Sequence, residues 1–323
     1  MSGMIPDNGR VLVTGVAGFI GSHLTDRLLE MGTEVVGYDN LSSGKMEFLQ
    51  GAMKSERFRL IEGDVLDPTA LKEAMKGIDT VFHLAANPDV RLGESDSRIH
   101  FRQNVEATQN VLEAMRELGV KNMVFTSTST VYGDAEVIPT PESYGPTIPI
   151  SLYGASKLAS EAMISGFCHT YDMNAVIYRF ANVVGPRSNH GVTFDFVNKL
   201  RKDPKKLVIL GDGRQKKSYT HVFDTIDAII FGAENGKERV EIFNMGSEDY
   251  IDVVTVANIV TDVMGLEDVE YEFTGGVDGG RGWKGDVRFM QLSIEKLKKM
   301  GWRPKYSSAE SVRMTAQSII SEV

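Results

Sequence analysis

The chain is short of the residues that build disulfide scaffolds, metal clusters and cationic surfaces. One of its 323 residues is cysteine, Cys168. A single thiol forms no intrachain disulfide and no thiolate metal cluster, and it fits a reduced, cytoplasmic setting. Cys168 itself is expected to be a buried helix residue. Positive charge is also scarce. Lys and Arg number 35 against 44 Asp and Glu, so the formal net charge is −9. That disfavours nucleic acid and anionic membrane surfaces as main partners, because both need a cationic face. No run approaches the roughly 20 continuous apolar residues that span a bilayer. Met1 to Asn8 carries no basic n-region and the apolar run after it is short, so no secretory leader is expected there. His23, His100, His169 and His190 show no metal-ligand spacing, and His221 reads as a structural residue.

The composition is otherwise ordinary. Hydrophobic residues make up 42% and charged residues 24%, which fits a folded enzyme and not a disordered chain. The length corresponds to about two domains of roughly 150 residues, or to one large α/β unit with an appendage. Short β-branched runs at 10–14, 34–38, 58–61, 80–83, 122–126 and 175–179 predict strands. Helical spacing predicts helices at 19–31, 70–75, 105–118 and 153–171. This alternation implies a parallel sheet covered on both faces, a doubly wound α/β fold of the Rossmann type. After Asn182 the pattern loosens. Helices are expected at 194–201, 225–234, 253–264, 293–300 and 309–321, and 241–244 is a candidate strand returning to the first sheet. The expected division is a dinucleotide-binding domain at 1–180 and a smaller substrate-binding lobe at 181–323.

The first strand runs into Thr14-Gly15-Val16-Ala17-Gly18-Phe19-Ile20-Gly21, which opens a helix. Glycines let backbone approach a pyrophosphate, and a helix N-terminus offers free N–H groups with the positive end of a dipole. The spacing is G-x-x-G-x-x-G, and its place after a strand and before a helix is the context that a dinucleotide site requires. The plainer reading is a tight turn without a ligand. Asp39 closes the second strand. An acid there accepts both ribose hydroxyls of adenosine and repels a 2′-phosphate, which favours NAD over NADP. The alternative is a cap or turn aspartate before the polar loop 40–44. Asp64, at the end of the third strand, is placed either to bond the adenine amino group or as a turn residue before Pro68. The small residues of His83-Leu84-Ala85-Ala86-Asn87 let a cofactor lie across the strand end. His83 is expected to be structural rather than catalytic.

Tyr153 and Lys157 are four apart and share a helical face. The ammonium is expected to lower the phenol pKa from about 10, making Tyr153 a general base near neutral pH. The hydroxyl run Ser127-Thr128-Ser129-Thr130 lies at the carboxyl end of a parallel strand, where side chains face a ligand crevice. Such hydroxyls also satisfy backbone groups at strand ends, and both readings hold for the run as a whole.

These motifs resemble the extended short-chain dehydrogenase/reductase family. They are joined by Arg179-Phe180-Ala181-Asn182-Val183-Val184-Gly185-Pro186 and by Tyr219-x-His221-Val222-x-Asp224. The resemblance covers nearly the whole chain, with the motifs in family order. Within the family the chain is most similar to the UDP-glucose 4-epimerase group. The segments 186–192 and 280–287 are like its archaeal-type members. The resemblance implies Tyr153 as general base, Lys157 as its tuner and ribose ligand, and Thr128 as the hydroxyl on the sugar O4. It implies that Gly15, Gly18, Phe19, Ile20 and Gly21 hold the NAD pyrophosphate. Asp39, Asn40, Ser43 and Gly44 then hold the adenosine ribose, Asp64 and Val65 hold adenine, and Leu84, Ala85 and Ala86 line the cofactor wall. Asn182 is implied on the nucleotide-sugar phosphate.

Two positions depart from the family pattern. Lys217 stands where the family has an Arg before Tyr-x-His-Val. Trp283 stands where the second phosphate-binding Arg falls, with Arg281 two residues earlier. Lysine neutralises a phosphate but gives up the bidentate fork. Lys217 and Arg281 are the candidate cations. Ser129 and Thr130 occupy places where dehydratase relatives carry Asp-Glu and decarboxylase relatives carry Glu. The implied activity is therefore 4-epimerisation of a UDP-hexose such as UDP-glucose or UDP-galactose. The rivals are epimerisation of a UDP-uronic acid, with Arg91 as a candidate for its carboxylate, or of a UDP-N-acetylhexosamine, for which the gating position falls near Met290. A non-catalytic NAD-binding regulator is a further rival, although such relatives typically lack the Tyr or the Lys. The family often forms homodimers through the helices at 105–118 and 153–171.

Overall fold

The computed structural model describes residues 3–5 and 9–321. Most of Met1 to Asn8, on which the expectation about a leader rests, lies outside the described residues. Seven strands form the main sheet. In chain order they are β1 (Arg10–Thr14), β2 (Glu34–Asp39), β3 (Phe58–Glu62), β4 (Thr80–His83), β5 (Asn122–Thr128), β6 (Asn174–Phe180) and β7 (Val240–Met245). Across the sheet they run β7-β6-β5-β4-β1-β2-β3. β1 pairs in parallel with both β2 and β4, so the order reverses between β1 and β4. Ligands of doubly wound sheets gather outside the strand ends at such a reversal. The parallel α/β fold expected from the sequence is the one present.

The strands read as continuous apolar runs because both faces are covered. Val11, Leu12 and Val13 are wholly buried. On one face Leu12, Val81, Phe125 and Ile177 pack with Leu112 and Met115 of the helix Ala107–Leu118 and with Ile164 and Cys168 of the helix Leu152–Tyr171. Local chemistry starts and stops the helices. Asp67 accepts from Thr69 N and Ala70 N at the start of the helix Pro68–Ala74, whose first residue is a proline. Gly119, at φ 74°, closes the helix Ala107–Leu118 in a left-handed cap.

The helix expected at 105–118 differs from the one observed. The chain is already helical from Ile99, and Phe101–Glu106 is a wide π turn feeding the α-helix Ala107–Leu118. Such insertions leave little trace in apolar spacing and recur near functional sites.

Packing divides the chain into two compact units. The first comprises the chain up to Val131 with Leu152–Arg179 and Ile226–Phe243. The second comprises Tyr132–Ser151, Phe180–Thr225 and the chain from Asn244. The second unit packs Phe196 and Leu200 of the helix Val192–Lys202, Val256 and Val260 of Val253–Val263, and Val312 and Ala316 of Ser308–Ser321. Its strands are short and went unpredicted. Asn182–Val184 pairs with Tyr219–His221, and Lys206–Ile209 with Glu270–Phe273. Lys216–Lys217 lies between Ile251–Asp252 and Phe289–Met290. The helix expected from 293 begins instead at Glu295.

Gly166 is exposed within the helix Leu152–Tyr171, and an added Cβ would meet nothing within 4 Å. A mid-helix glycine with room around it costs conformational entropy and offers nothing in return. Gly166→Ala is therefore expected to raise stability by about 0.5–1 kcal/mol in denaturant unfolding. A loss of stability would show that the helix surface there is occupied.

Candidate active site

At the end of β1 the chain turns at Gly15, whose φ is +72°. A Cβ there would lie 2.8 Å from Ala85 N, so the turn sits directly on the exit of β4. A Cβ at Gly18 would come 3.1 Å from Gly15 O, and one at Gly21 only 2.1 Å from it. The three glycines thus let loop and helix start close on each other. The helix Phe19–Glu30 begins after Gly18 with no side-chain cap and no acid in its first turn. Its first N–H groups, those of Phe19 and Ile20 included, present an uncapped positive end.

Asp39 sits beside this turn, 9% exposed. One carboxylate oxygen accepts from Ala17 N at 2.9 Å and the other from Leu41 N at 2.8 Å. The acid therefore braces the glycine loop, and each oxygen keeps a further lone pair for a ligand hydroxyl. Asn40 donates from Nδ2 to Asp64 Oδ2 at 3.0 Å, and Asp64 Oδ1 accepts from Leu66 N at 2.9 Å. Asp64 is thus a turn residue that also faces Asn40. Val65 O accepts from Asn110 Nδ2. The loop carrying Ser43 and Gly44 lies on Ala17, where a Cβ at Gly44 would be 2.7 Å from the Ala17 methyl. Leu84 N donates to Thr14 O and Ala85 N to Thr14 Oγ1, while 84–87 are half-buried. A close-approach glycine cradle, an uncapped helix start and a buried acid fit the pyrophosphate and ribose of a dinucleotide.

His83 lies beneath this floor, fully buried, with Nδ1 2.8 Å from Thr14 Oγ1 and Nε2 3.2 Å from Thr108 Oγ1. Burial holds its pKa down at about 3, so the ring is neutral. Thr108 already donates to Asn104 O, so His83 Nε2 carries the hydrogen and Nδ1 accepts from Thr14. A neutral ring bonded on both sides links β1 to the helix Ala107–Leu118.

Thr128 ends β5, and the turn Ser129–Tyr132 follows. The helix Leu152–Tyr171 starts against that turn, since a Cβ at Gly154 would lie 2.6 Å from Thr130 O. The close approach brings Tyr153 beside Thr128, whose hydroxyl is placed to favour the ionised phenol. Thr128 Oγ1 also accepts from Thr130 N and lies 3.1 Å from Thr130 Oγ1. Lys157, one turn on, is 3% exposed. Its Nζ donates to Thr126 O at 2.8 Å and lies 4.7 Å from the Phe125 ring centroid.

The expected electrostatics of this pair need correcting. Lys157 was expected to pull the Tyr153 phenol down. In the structure burial pushes the phenol up to about 12, and the Thr128 hydroxyl is the influence that lowers it. Lys157 is itself brought down to about 7 by burial, with Glu161 opposing. Residues four apart share a helical face, but that spacing says nothing of depth, and depth dominates here.

The candidate side chains for the nucleotide-sugar phosphates lie in the second unit. Asn182 Nδ2 donates to Ser218 O at 3.3 Å. Lys217 is ion-paired with Asp286 at 2.5 Å, and its ammonium lies 5.2 Å from the Trp283 ring centroid. Arg281 grips Asp134 through both terminal nitrogens, at 3.1 and 2.7 Å. Each candidate cation therefore already has a carboxylate. Asp286 and Asp134 were missed in the sequence because they stand 69 and 147 residues from their partners. Met290 is buried on the strand beside Lys217, and Arg91 pairs with Asp89 at the surface. The structure also reveals Ser127, Glu161 and Arg179 as a buried polar group. The only sequence signal for Glu161 is its place one turn after Lys157. Among the described residues no cluster of His, Cys, Asp or Glu is arranged to hold a metal ion, and no helix is long and apolar enough to cross a membrane.

A parallel sheet reversing between β1 and β4, a glycine cradle with its acid, and a tyrosine beside a strand-end threonine one turn before a buried lysine define an extended short-chain dehydrogenase/reductase. The model of the NAD dependent epimerase/dehydratase family matches residues 11–246, and the chain belongs to that family. It is an enzyme, and NAD is its cofactor. The chain is 34% identical over 318 residues to the UDP-glucose 4-epimerase of Mycolicibacterium smegmatis, covering 95% of this chain and 97% of that one. It is 31% identical to the UDP-glucuronate 4-epimerase of Thermodesulfobacterium geofontis, covering 95% of each. A crystal structure of a UDP-galactose 4-epimerase superposes with a TM-score of 0.86 at 44% identity, covering 97% of this chain and 99% of that one.

Proposed function

We propose that the enzyme is a UDP-sugar 4-epimerase acting on a UDP-hexose, UDP-glucose and UDP-galactose being interconverted. One observation carries this reading: Tyr153 stands beside the Thr128 hydroxyl, with Lys157 buried one turn behind, while Ser129 and Thr130 supply no acid beside them. Elimination and decarboxylation call for an additional acid or base at those positions; reversible oxidation of one carbinol does not.

The phenolate form of Tyr153, which the Lys157 ammonium and the positive charge of bound NAD would favour over the neutral phenol, takes the proton of the sugar O4, and the Thr128 hydroxyl holds that oxygen in line. Bound NAD supplies the reversible hydride acceptor for C4. Tyr153 then returns its proton after the hexose presents its other face. Lys157 keeps a positive charge next to the phenol and the nicotinamide ribose. Domain 1–180 holds the dinucleotide and 181–323 the nucleotide sugar, through Asn182, Lys217 and Arg281. A diphosphate at the two cations competes with Asp286 and Asp134 for them, so the nucleotide is held firmly only by re-pairing. The reading includes a cytoplasmic homodimer, with the exposed Met163 and Tyr171 of the helix Leu152–Tyr171 at its contact.

The rival uronate reading needs a cation for the sugar carboxylate, and its candidate Arg91 is tied to Asp89. The test is a panel of UDP-glucose, UDP-galactose, UDP-glucuronate and UDP-N-acetylglucosamine assayed for the 4-epimer. The expected result is a kcat/KM for the neutral hexoses at least about tenfold above the others. Preference for UDP-glucuronate or UDP-N-acetylglucosamine would reassign the substrate, and no 4-epimer from any of them would remove the activity.

A further inference from the structure

Behind Tyr153 and Lys157 lies a charge cluster that the scheme above does not use. Glu161 follows Lys157 by one helical turn and is 5% exposed. Its Oε1 accepts from the Ser127 hydroxyl on β5 and from Arg179 Nε on β6 at 3.0 Å. Its Oε2 accepts from the other end of the same guanidinium at 2.6 Å. Ser127 and Arg179 are buried as well. Glu161 is thus ion-paired with Arg179 in the interior and stands one helical turn from the buried Lys157.

The other groups facing Lys157 add no counter-charge. The Thr126 carbonyl accepts its proton, the Phe125 ring lies beneath it, Tyr153 on the same helix is a neutral phenol, and His83 on β4 is held neutral. Arg179 stays charged in any protein environment. Lys157 is the member of the cluster that gives up its proton when the balance turns positive, because burial already favours its neutral form.

We propose that Glu161 and Arg179 are positioning residues that set the charge of Lys157, Glu161 holding the ammonium in its protonated form and Arg179 limiting that hold by drawing on the same carboxylate. The proposal rests on the reading of Lys157 as the cation that serves Tyr153 and the ribose. It predicts opposite effects from the two ends of one ion pair. Glu161→Gln removes the carboxylate one turn from Lys157 and favours its neutral form. Arg179→Met leaves the carboxylate to Lys157 alone and favours the ammonium. A merely structural ion pair, broken from either side, would disturb Lys157 in the same direction or not at all.

The test is a pH titration of Lys157 in the NAD-loaded enzyme, followed by NMR through 13Cε-labelled lysine and assigned by the signal lost in Lys157→Met. Glu161→Gln is expected to weaken proton binding at Lys157 at least tenfold, Arg179→Met to strengthen it by a smaller factor, and Glu161→Asp to restore it. Shifts in one direction from both single variants, or none, would overturn the proposal. If neither single variant folds, the double variant decides. Its Lys157 must titrate below that of the parent enzyme, and an unchanged titration would overturn the proposal. The readout needs no turnover, so it stands apart from the activity of Tyr153→Phe, which bears on the catalytic reading instead.

Discussion

Tyr153→Phe is expected to lower turnover of the UDP-sugar by about 10³-fold, within the range of a lost general base, while NAD remains bound. The substitution removes one hydroxyl beside Thr128 and keeps the ring in place. The fold should be little affected, because a single hydrogen bond contributes about 1 kcal/mol net. The glycine cradle and Asp39 lie on other segments of the first unit, and their contacts do not involve the phenol. Turnover from steady-state assays, read beside the NAD content of the purified variant, separates the two effects. Near-normal turnover would take Tyr153 out of the proton-transfer role. Lost NAD with lost turnover would instead make the residue structural.

Gly21→Ala is expected to abolish stable NAD binding and to cost about 3 kcal/mol of stability, the upper end for an overpacked methyl. The added Cβ would stand 2.1 Å from Gly15 O, 3.0 Å from Gly15 C and 3.1 Å from Val16 Cα. All three are backbone atoms, so no side chain can swing away. The helix Phe19–Glu30 must move off the turn that it packs on, and with it go the N–H groups aimed at the pyrophosphate. Thermal unfolding with and without NAD measures both consequences. In the parent enzyme saturating NAD raises Tm by mass action. In the variant Tm starts lower and the NAD-dependent rise disappears. A variant with the parent's Tm and the parent's response to NAD would show that the cradle has slack.

The main sheet was legible because its strands are buried on both faces and write themselves as short β-branched runs. Val11-Leu12-Val13 and the run before Arg179 are examples, and the observed strands extend the expected ones by at most two residues at their ends. The glycine loop was legible because its meaning depends on local order, strand then turn then helix. The small strands of the second unit were not. Lys216–Lys217 and Ile251–Asp252 are two residues each, too short for an alternation to register. The π turn at Phe101–Glu106 was absorbed into an expected α-helix, since one wide turn barely disturbs apolar spacing.

For the candidate site, the sequence supplied residue types and neighbours on a helix but not depth or distant partners. Tyr153 and Lys157 do stand one turn apart. The desolvation that moves both pKa values away from ionisation follows from tertiary packing, Lys157 lying on Thr126 and Phe125 of β5. Asp39 was read as a ribose ligand or a turn aspartate, and it proves to brace Ala17 and Leu41. The partners of Lys217 and Arg281 come from remote segments, where one sequence carries no record of pairing.

The account turns on where the Tyr153 phenol lies when both ligands are in place. A crystal structure of the enzyme with NAD and a UDP-hexose tests this directly. The account predicts Tyr153 Oη and Thr128 Oγ1 within about 3 Å of the sugar O4, with the pyrophosphate of NAD on the N–H groups after Gly18. A closed, fully liganded complex that leaves the phenol several ångströms from O4, with another group in contact with it, would contradict the account.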